Sequence, residues 1–466
     1  MASEAVHEQY TARLADFAAN LQWSDIPRDF QELLPTFILD NVSAMPVYQA
    51  AARMAKITYG SGGEHETYSA IDDTRTSLSG AAFLNGVAAG CFEFEHVIST
   101  THPASAMFPA LLTVAAAYHK TGEQLLTAMV VGYELCVRIG FASTKEVEEQ
   151  RGFHNPGLNG HLATAAAVCR LMGWDASTTA FAMGIAASSA SGLMAFVNTG
   201  AMTKRLHPAR SGQLGMEAAF LAKEGVVGPP DVIENSRGFL NAFSPHPEAG
   251  ILTHALGQEW KGRGMMLKLS PVHMIVQAFV YAINQSRDRG ESLWAAEHIK
   301  TVTVSGGQNA LRNSHMIRLP ESLVSAQYSV PFSIAAALTT DLRDPLNMND
   351  TLLTDSLTRK ISENMEFVVD SKDTRSITGK ITICCGGEDI NIDAGVYPGL
   401  PGSAGYARSV IDKFERVTSS LDIIRQITAL RSMAEDVANL KDLSEFVDLL
   451  VEAGTRAHGN INPIKH

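Results

Sequence analysis

Apolar positions recur at helical spacing through most of the first 260 residues, with no strand-like alternation between them. The run from His102 to Gly122, HPASAMFPALLTVAAAYHKTG, opens at a proline and closes at a glycine. A second helix follows Thr121, and Gln124 three positions on gives the spacing of a capping box. GHLATAAAVCRLMGWD and DASTTAFAMGIAASS continue the pattern, with Asp175 as the N-cap of the second. SGQLGMEAAFLAKEG adds a helix closed by Gly225. Near Gly264 the texture changes. His298–Gly306, Met365–Ser371 and Lys380–Gly395 are rich in β-branched residues and bounded by glycine turns, so they read as strands. Helical pieces at PVHMIVQAFVYAIN and PFSIAAALTTDL separate them. Beyond the Pro/Gly-rich connector Tyr397–Gly405 the helical period returns in YARSVIDKFERVTSSL and DLSEFVDLLVEAG. The expected fold is mainly α: a large all-helical domain built from both chain ends (1–266 and 397–466), with a smaller α+β domain inserted at 267–396.

Some stretches invite other readings. Ala176–Thr203 holds 28 residues without a charge, long enough for a bilayer. Its abundance of Ser, Thr, Ala and Gly reads instead as a buried, tightly packed helix, and no membrane span is expected. The N-terminal MASEAVHEQYTARLADFAANL reads as an amphipathic helix without the apolar core of a secretory signal. The glycine-rich Tyr59–His65 follows helix rather than strand and reads as a loop, not a phosphate cradle.

The 466-residue chain is 45% hydrophobic and 18% charged, with a formal charge of −12. That balance argues against nucleic-acid or anionic-membrane partners, since both need basic surface. Five cysteines, an odd number without zinc-site spacing, fit reduced thiols and a cytoplasmic setting.

Four clusters carry chemistry. Glu93, Glu95, His96 and His102 lie within ten residues ahead of a helix; acids at a helix start also read as dipole stabilisers. Arg151, His154 and His161 sit in RGFHNPGLNGH, where a turn histidine also reads as structural. MTKRLHPARS gathers Lys204, Arg205, His207 and Arg210. C-capping explains one or two of these cations, and four within seven positions point to an anion site. Lys268 and His273 stand at the junction of the two domains, a favoured place for a ligand cleft. HExxH and G-x-S-x-G motifs are absent, so no metal or serine nucleophile is expected. Lys/His acid–base chemistry with Arg/Lys anchoring remains, which suits proton transfer beside a carboxylate.

Taken in order, HPASAMFPALL, GFHNPG, TKRLHPARSGQLGMEAAFLAKEGVVGPP, GFLNAF, QYSVPFSIAAAL and IDKFERV resemble the MmgE/PrpD family over nearly the whole chain. That family includes methylcitrate dehydratase, cis-aconitate decarboxylase and iminodisuccinate epimerase. The resemblance implies a helical domain with an inserted lid, a homodimer, and, in the decarboxylase and epimerase branches, no metal or organic cofactor. It implies that His102, His154, Lys204, Lys268, His273 and Tyr328 surround a polycarboxylate. On the chemistry of the clusters, His102, His154, Lys204 and Lys268 are the acid–base candidates, and Arg205, His207, Arg210, His273, Glu95, His96 and Tyr328 are the candidates for substrate binding. Where family dehydratases and decarboxylases carry DFDDT, this chain has EFEHV, and KLSP lacks the tyrosine usual after the lysine. Both departures favour a reaction that only removes and returns a proton. The expectation is a cofactor-independent epimerase or racemase acting on an amino-polycarboxylate such as iminodisuccinate. A methylcitrate-type hydro-lyase, a cis-aconitate-type decarboxylase and a dicarboxylate-binding helical dimer without turnover are the alternatives.

Overall fold

The computed structural model describes residues 8–45, 67–68, 75–90, 92–288, 294–419, 421 and 423–460. Residues Met1–His7, the Tyr59–His65 loop and Cys91 lie outside the described residues. The N-terminal helix runs Tyr10–Asn20.

Helices dominate, and among the described residues the chain is mainly α with one small mixed sheet and a two-residue antiparallel pair, Thr67–Tyr68 with Arg75–Thr76. The helices Leu78–Gly90, Pro103–Ala117, Gly122–Ser143, Pro156–Met172, Ala176–Ala187 and His207–Lys223 pack on one another. Small residues bring their axes close. A Cβ added at Gly215 would sit 2.6 Å from the His161 carbonyl oxygen, so only glycine fits there. Local chemistry sets the ends. The Thr121 hydroxyl accepts from the Gln124 N–H while the Gln124 amide oxygen accepts from the Thr121 N–H, completing the capping box. The Asp175 carboxylate accepts from the Thr178 N–H, 2.8 Å away. Gly122–Ser143 is long and apolar enough to cross a bilayer by length and composition, yet it is a core helix enclosed by its neighbours.

The uncharged run from Ala176 is not one helix. It ends at Ala187, passes through turns, and resumes as the single turn Phe196–Thr199. The Ser188 hydroxyl donates to the Gly184 carbonyl at 3.3 Å, and Gly192 and Gly200 take left-handed φ of +138° and +63°. Leu193 in this break is 59% exposed.

The sheet has the spatial order Glu366–Asp370, Ile299–Gly307, Gly379–Cys385, Glu388–Ala394. The first pair is parallel and the other two are antiparallel. Gly386 and Gly387, both at positive φ, make the two-residue hairpin between the last strands. Helix Gln277–Asp288 packs against the last two strands and against Val330–Thr339.

The C-terminal helices return to the helical part. Tyr406–Ser419 packs on Leu34–Ala44, and Ser444–Asn460 reaches Pro103–Ala117. The Tyr406 hydroxyl donates to the Met265 carbonyl at 2.6 Å. Two helices that the residue pattern did not single out, Leu34–Ala44 and Ile424–Glu435, complete this packing.

Candidate active site

Five separated segments converge on one buried cluster. The loop Phe92–Val97 supplies two carboxylates. Glu93 adopts a left-handed φ of +53°, uncommon for a side chain of its kind. Its carboxylate pairs with the Lys204 ammonium on one side and with Lys268 Nζ, 2.7 Å away, on the other. Glu95 Oε1 accepts from His102 Nδ1 at 2.7 Å, and its Oε2 lies 3.6 Å from Lys268 Nζ.

Lys204 and Arg205 belong to a buried 3₁₀ turn, Met202–Leu206, which runs directly into the helix His207–Lys223. The basic block therefore stands at a helix N-terminus, where the dipole disfavours cations. C-capping does not explain it, because these cations sit at the wrong end. Lys204 Nζ lies 5.2 Å from the centroid of the Tyr328 ring.

His154, just ahead of helix Pro156–Met172, connects to the same group. Its ring centroid is 6.2 Å from that of His102, and its Nδ1 is 3.1 Å from His207 Nδ1. The His154 backbone N–H donates to the Gly192 carbonyl. The turns that interrupt the uncharged run therefore fix the position of this histidine. Tyr328 stacks on His315 and lies 4.8 Å from His273. Arg205 Nη2 donates to the Gln327 side-chain oxygen at 3.5 Å. Gln327 Nε2 donates to the carbonyls of Phe92 and Pro271, tying the Glu93 loop to the Lys268 loop.

Thus His102, His154, Lys204, Lys268, Glu95, His207, His273 and Tyr328 are neighbours in space, with Arg205 at the edge. His96, Arg210 and His161, also singled out from the sequence, are placed elsewhere. His96 faces away, 0% exposed, with Nδ1 2.8 Å from Asp40 Oδ2 and Nε2 2.7 Å from the Tyr133 hydroxyl. Glu95 and His96 point to different partners, Glu95 to His102 and Lys268 and His96 to Asp40 and Tyr133. Arg210 lies over Phe83 and donates to Gln213 Oε1 at 2.7 Å, on the side of the Leu78–Gly90 helix. His161 is buried within its helix.

Electrostatics divide the cluster into charged and neutral members. Burial pushes the Glu95 carboxyl up, but the Lys268 ammonium and the His102 hydrogen bond outweigh it and bring it to about 2. Glu95 is therefore ionised and accepts only, so the His102 proton sits on Nδ1 and leaves the Nε2 lone pair open. Burial lowers His102 below the ordinary imidazole range, opposed by Glu95. Burial, with His102 and His207 nearby, holds His154 well below it. His207 falls to about 4 through burial and the Lys204 charge. Burial holds His273 well below the ordinary range too, aided by His315, Arg312 and both lysines. Burial lowers Lys268 against the pull of Glu95, and it raises the Tyr328 phenol, which stays a proton donor. With the imidazoles neutral, the carboxylates of Glu93 and Glu95 pair with the ammoniums of Lys204 and Lys268. Among the described residues, no three His, Cys, Asp or Glu side chains are arranged to hold a metal.

Sequence reasoning placed Glu93 only in a helix-start cluster. The structure makes it the bridge between the two lysines, a role hinted at by its alignment with the first acid of DFDDT. Gln327 opens the motif QYSVPFSIAAAL but was given no role, and Arg312 and His315 carried no motif signal.

Comparison with known proteins fits this geometry. The N-terminal domain of the MmgE/PrpD family matches residues 12–252, which hold Glu93, Glu95, His102, His154, Lys204 and His207. The chain is 33% identical over 283 residues to the cis-aconitate decarboxylase-like protein oryM of Aspergillus oryzae, covering 56% of this chain and 58% of that protein. It is 32% identical over 209 residues to the cis-aconitate decarboxylase of Homo sapiens, covering 43% of each. It is 26% identical over 362 residues to that of Aspergillus terreus, covering 70% of this chain and 71% of the relative. The first two alignments thus span only about half of the relatives' length. Since the family domain spans more than half of its residues, the chain belongs to the MmgE/PrpD family.

Proposed function

We propose that this chain is a lyase of the decarboxylase type, acting on a small polycarboxylate through its own acid–base side chains. One observation carries the reading: the Glu95–His102 pair leaves a single imidazole nitrogen open beside two buried ammoniums. Support also comes from the relatives, which are named cis-aconitate decarboxylases.

The chemistry follows from charge. The Glu93 and Glu95 carboxylates already engage both ammoniums, so a guest with two or three carboxylates brings further negative charge into a buried site. That charge raises the proton affinity of His102, and Glu95 stabilises the resulting imidazolium. Lys204 and Lys268 hold the carboxylates. When the C–CO2⁻ bond breaks, carbon dioxide leaves and the electron pair stays on the carbon, spread into the neighbouring conjugated carboxylate. Both ammoniums stabilise this charge, and the imidazolium Nε2–H supplies the proton that forms the new C–H bond. His154, His207 and the Tyr328 hydroxyl hydrogen-bond the remaining oxygens. The test is incubation with cis-aconitate in heavy water, followed by proton NMR. Carbon dioxide release with one carbon-bound deuterium per product, lost in His102→Gln, is expected. An unchanged acid and no gas would overturn the reading.

A second reading, epimerisation of an amino-polycarboxylate such as iminodisuccinate, is favoured by the neutral resting state of His102. A free Nε2 lone pair is a base before it is an acid. Under that reading, deuterium enters the substrate next to a carboxylate without loss of carbon.

A further inference from the structure

Beyond the lysines, one wall of the cluster has no role in the mechanism above. His315 closes the 3₁₀ turn Asn313–His315, and its backbone N–H donates to the Arg312 carbonyl at 3.0 Å. Its ring centroid lies 4.5 Å from that of His273 and 5.5 Å from that of Tyr328, with the Tyr328 stack nearly parallel at 21°. His315 is 94% buried, with 6% of its surface exposed. Nδ1 pairs with the Ser314 hydroxyl at 2.9 Å, while Nε2 is buried without a hydrogen-bond partner. A buried polar atom in that condition costs about as much as a lost hydrogen bond, so such atoms usually await a partner. The Arg312 guanidinium acts on both His315 and His273 through its charge, the Glu148 and Glu149 carboxylates act on Arg312 in turn, and Arg312 Nη2 donates to Asn309 Oδ1. The Arg312 Nε–H donates to the Asn309 carbonyl at 3.3 Å. His273 takes the Ile275 N–H on Nδ1, at 3.5 Å, which leaves its proton on Nε2.

We propose that His315, with Arg312 and His273, forms a separate carboxylate subsite across Tyr328 from Lys204 and Lys268. The inference rests on the polycarboxylate reading above and sharpens it, since the site then selects three carboxylates over two. Two carboxylates bind at the lysines, and the third receives the imidazole N–H donors and the guanidinium charge. His315 is a specificity residue in this account, and it takes no part in bond breaking.

The test uses non-reacting acids: calorimetric titration of tricarballylate, with three carboxylates, and glutarate, with two. His315→Phe keeps the ring stacked on Tyr328 and removes both nitrogens. Tricarballylate affinity should fall about tenfold or more, and glutarate affinity should change less than about twofold. His315→Gln, which returns an N–H near the Nε2 position, should recover most of the loss. Arg312→Met should also weaken tricarballylate selectively, so the test stands if the phenylalanine variant fails to fold. If wild-type protein binds neither acid, the polycarboxylate reading fails and the subsite with it. If wild type binds both and neither variant changes their ratio, the subsite alone is wrong.

Discussion

The loop Glu93–Val97 feeds two buried charged clusters, and they differ in how completely they are satisfied. On one side His96 has both ring nitrogens bonded, to Asp40 and Tyr133. Asp40 also receives Lys413 Nζ at 2.7 Å, and the Lys413 ammonium bonds the Phe94 carbonyl as well. Phe37 stacks on the His96 ring. On the other side His102 has one nitrogen bonded to Glu95 and a side chain 12% exposed. The first network joins the Leu34–Ala44 helix, the loop and the C-terminal Tyr406–Ser419 helix. It leaves none of these histidine, lysine or aspartate groups spare, and so it rigidifies. The second keeps one imidazole nitrogen open, which is what chemistry requires. Similar residue types can build either a brace or a reaction site, and the count of satisfied atoms separates them.

That contrast can be broken from either side. Lys268→Met should give the largest effect, because it removes an ammonium shared by Glu93 and Glu95. Carbon dioxide release from cis-aconitate should fall by about 10³-fold or more, measured on folded protein. Glu95→Gln keeps the shape but loses the charge that holds the His102 proton on Nδ1. Turnover should drop by about 10²-fold, with KM changed far less. Asp40→Ala should behave in the opposite way. It leaves Lys413 buried without its counter-ion and should cost about 3–5 kcal/mol in urea unfolding. The folded fraction should retain activity within about tenfold of wild type.

The pH dependence of stability sharpens the same division. Burial raises the Asp40 carboxyl, but Lys413 and His96 together bring it below its ordinary value, and Glu95 lies at about 2. For a depressed carboxyl the stabilisation is present above the unfolded value, about 4, and is lost as the pH falls through the folded one. Unfolding midpoints measured between pH 5 and about 2 should therefore decline. Asp40→Asn and Glu95→Gln should each flatten part of that decline, and this is the smallest of the expected effects.

Much of the fold was written in the residue pattern. Thr121 with Gln124 and Asp175 are local chemistry, and local chemistry is readable from neighbours in sequence; the run Lys380–Gly395, read as one strand, divides at Gly386 and Gly387 into two. The histidines and lysines of the site announced themselves by type, and by standing in motifs ahead of helices. What was hidden depended on direction and distance. Glu95 turns to His102 and Lys268 while His96 turns to Asp40 and Tyr133, and nothing in the residue types signals that division. Asp40 and Lys413 are 373 positions apart and meet only after the C-terminal helices return. The break after Ala187 was masked by a composition that suits helix and turn alike. His315 lies in an unremarkable loop, and only its stacking on Tyr328 brings it to the cluster.

The most direct test of the central claim is the protonation state of His102, read by long-range nitrogen–proton correlation NMR on labelled protein near neutral pH. The free protein should show a neutral ring with its proton on Nδ1. Saturating tricarballylate should convert that ring to imidazolium while His96 stays unchanged. A proton on Nε2 in the free protein, or a His102 ring that ignores the bound acid, would contradict the account.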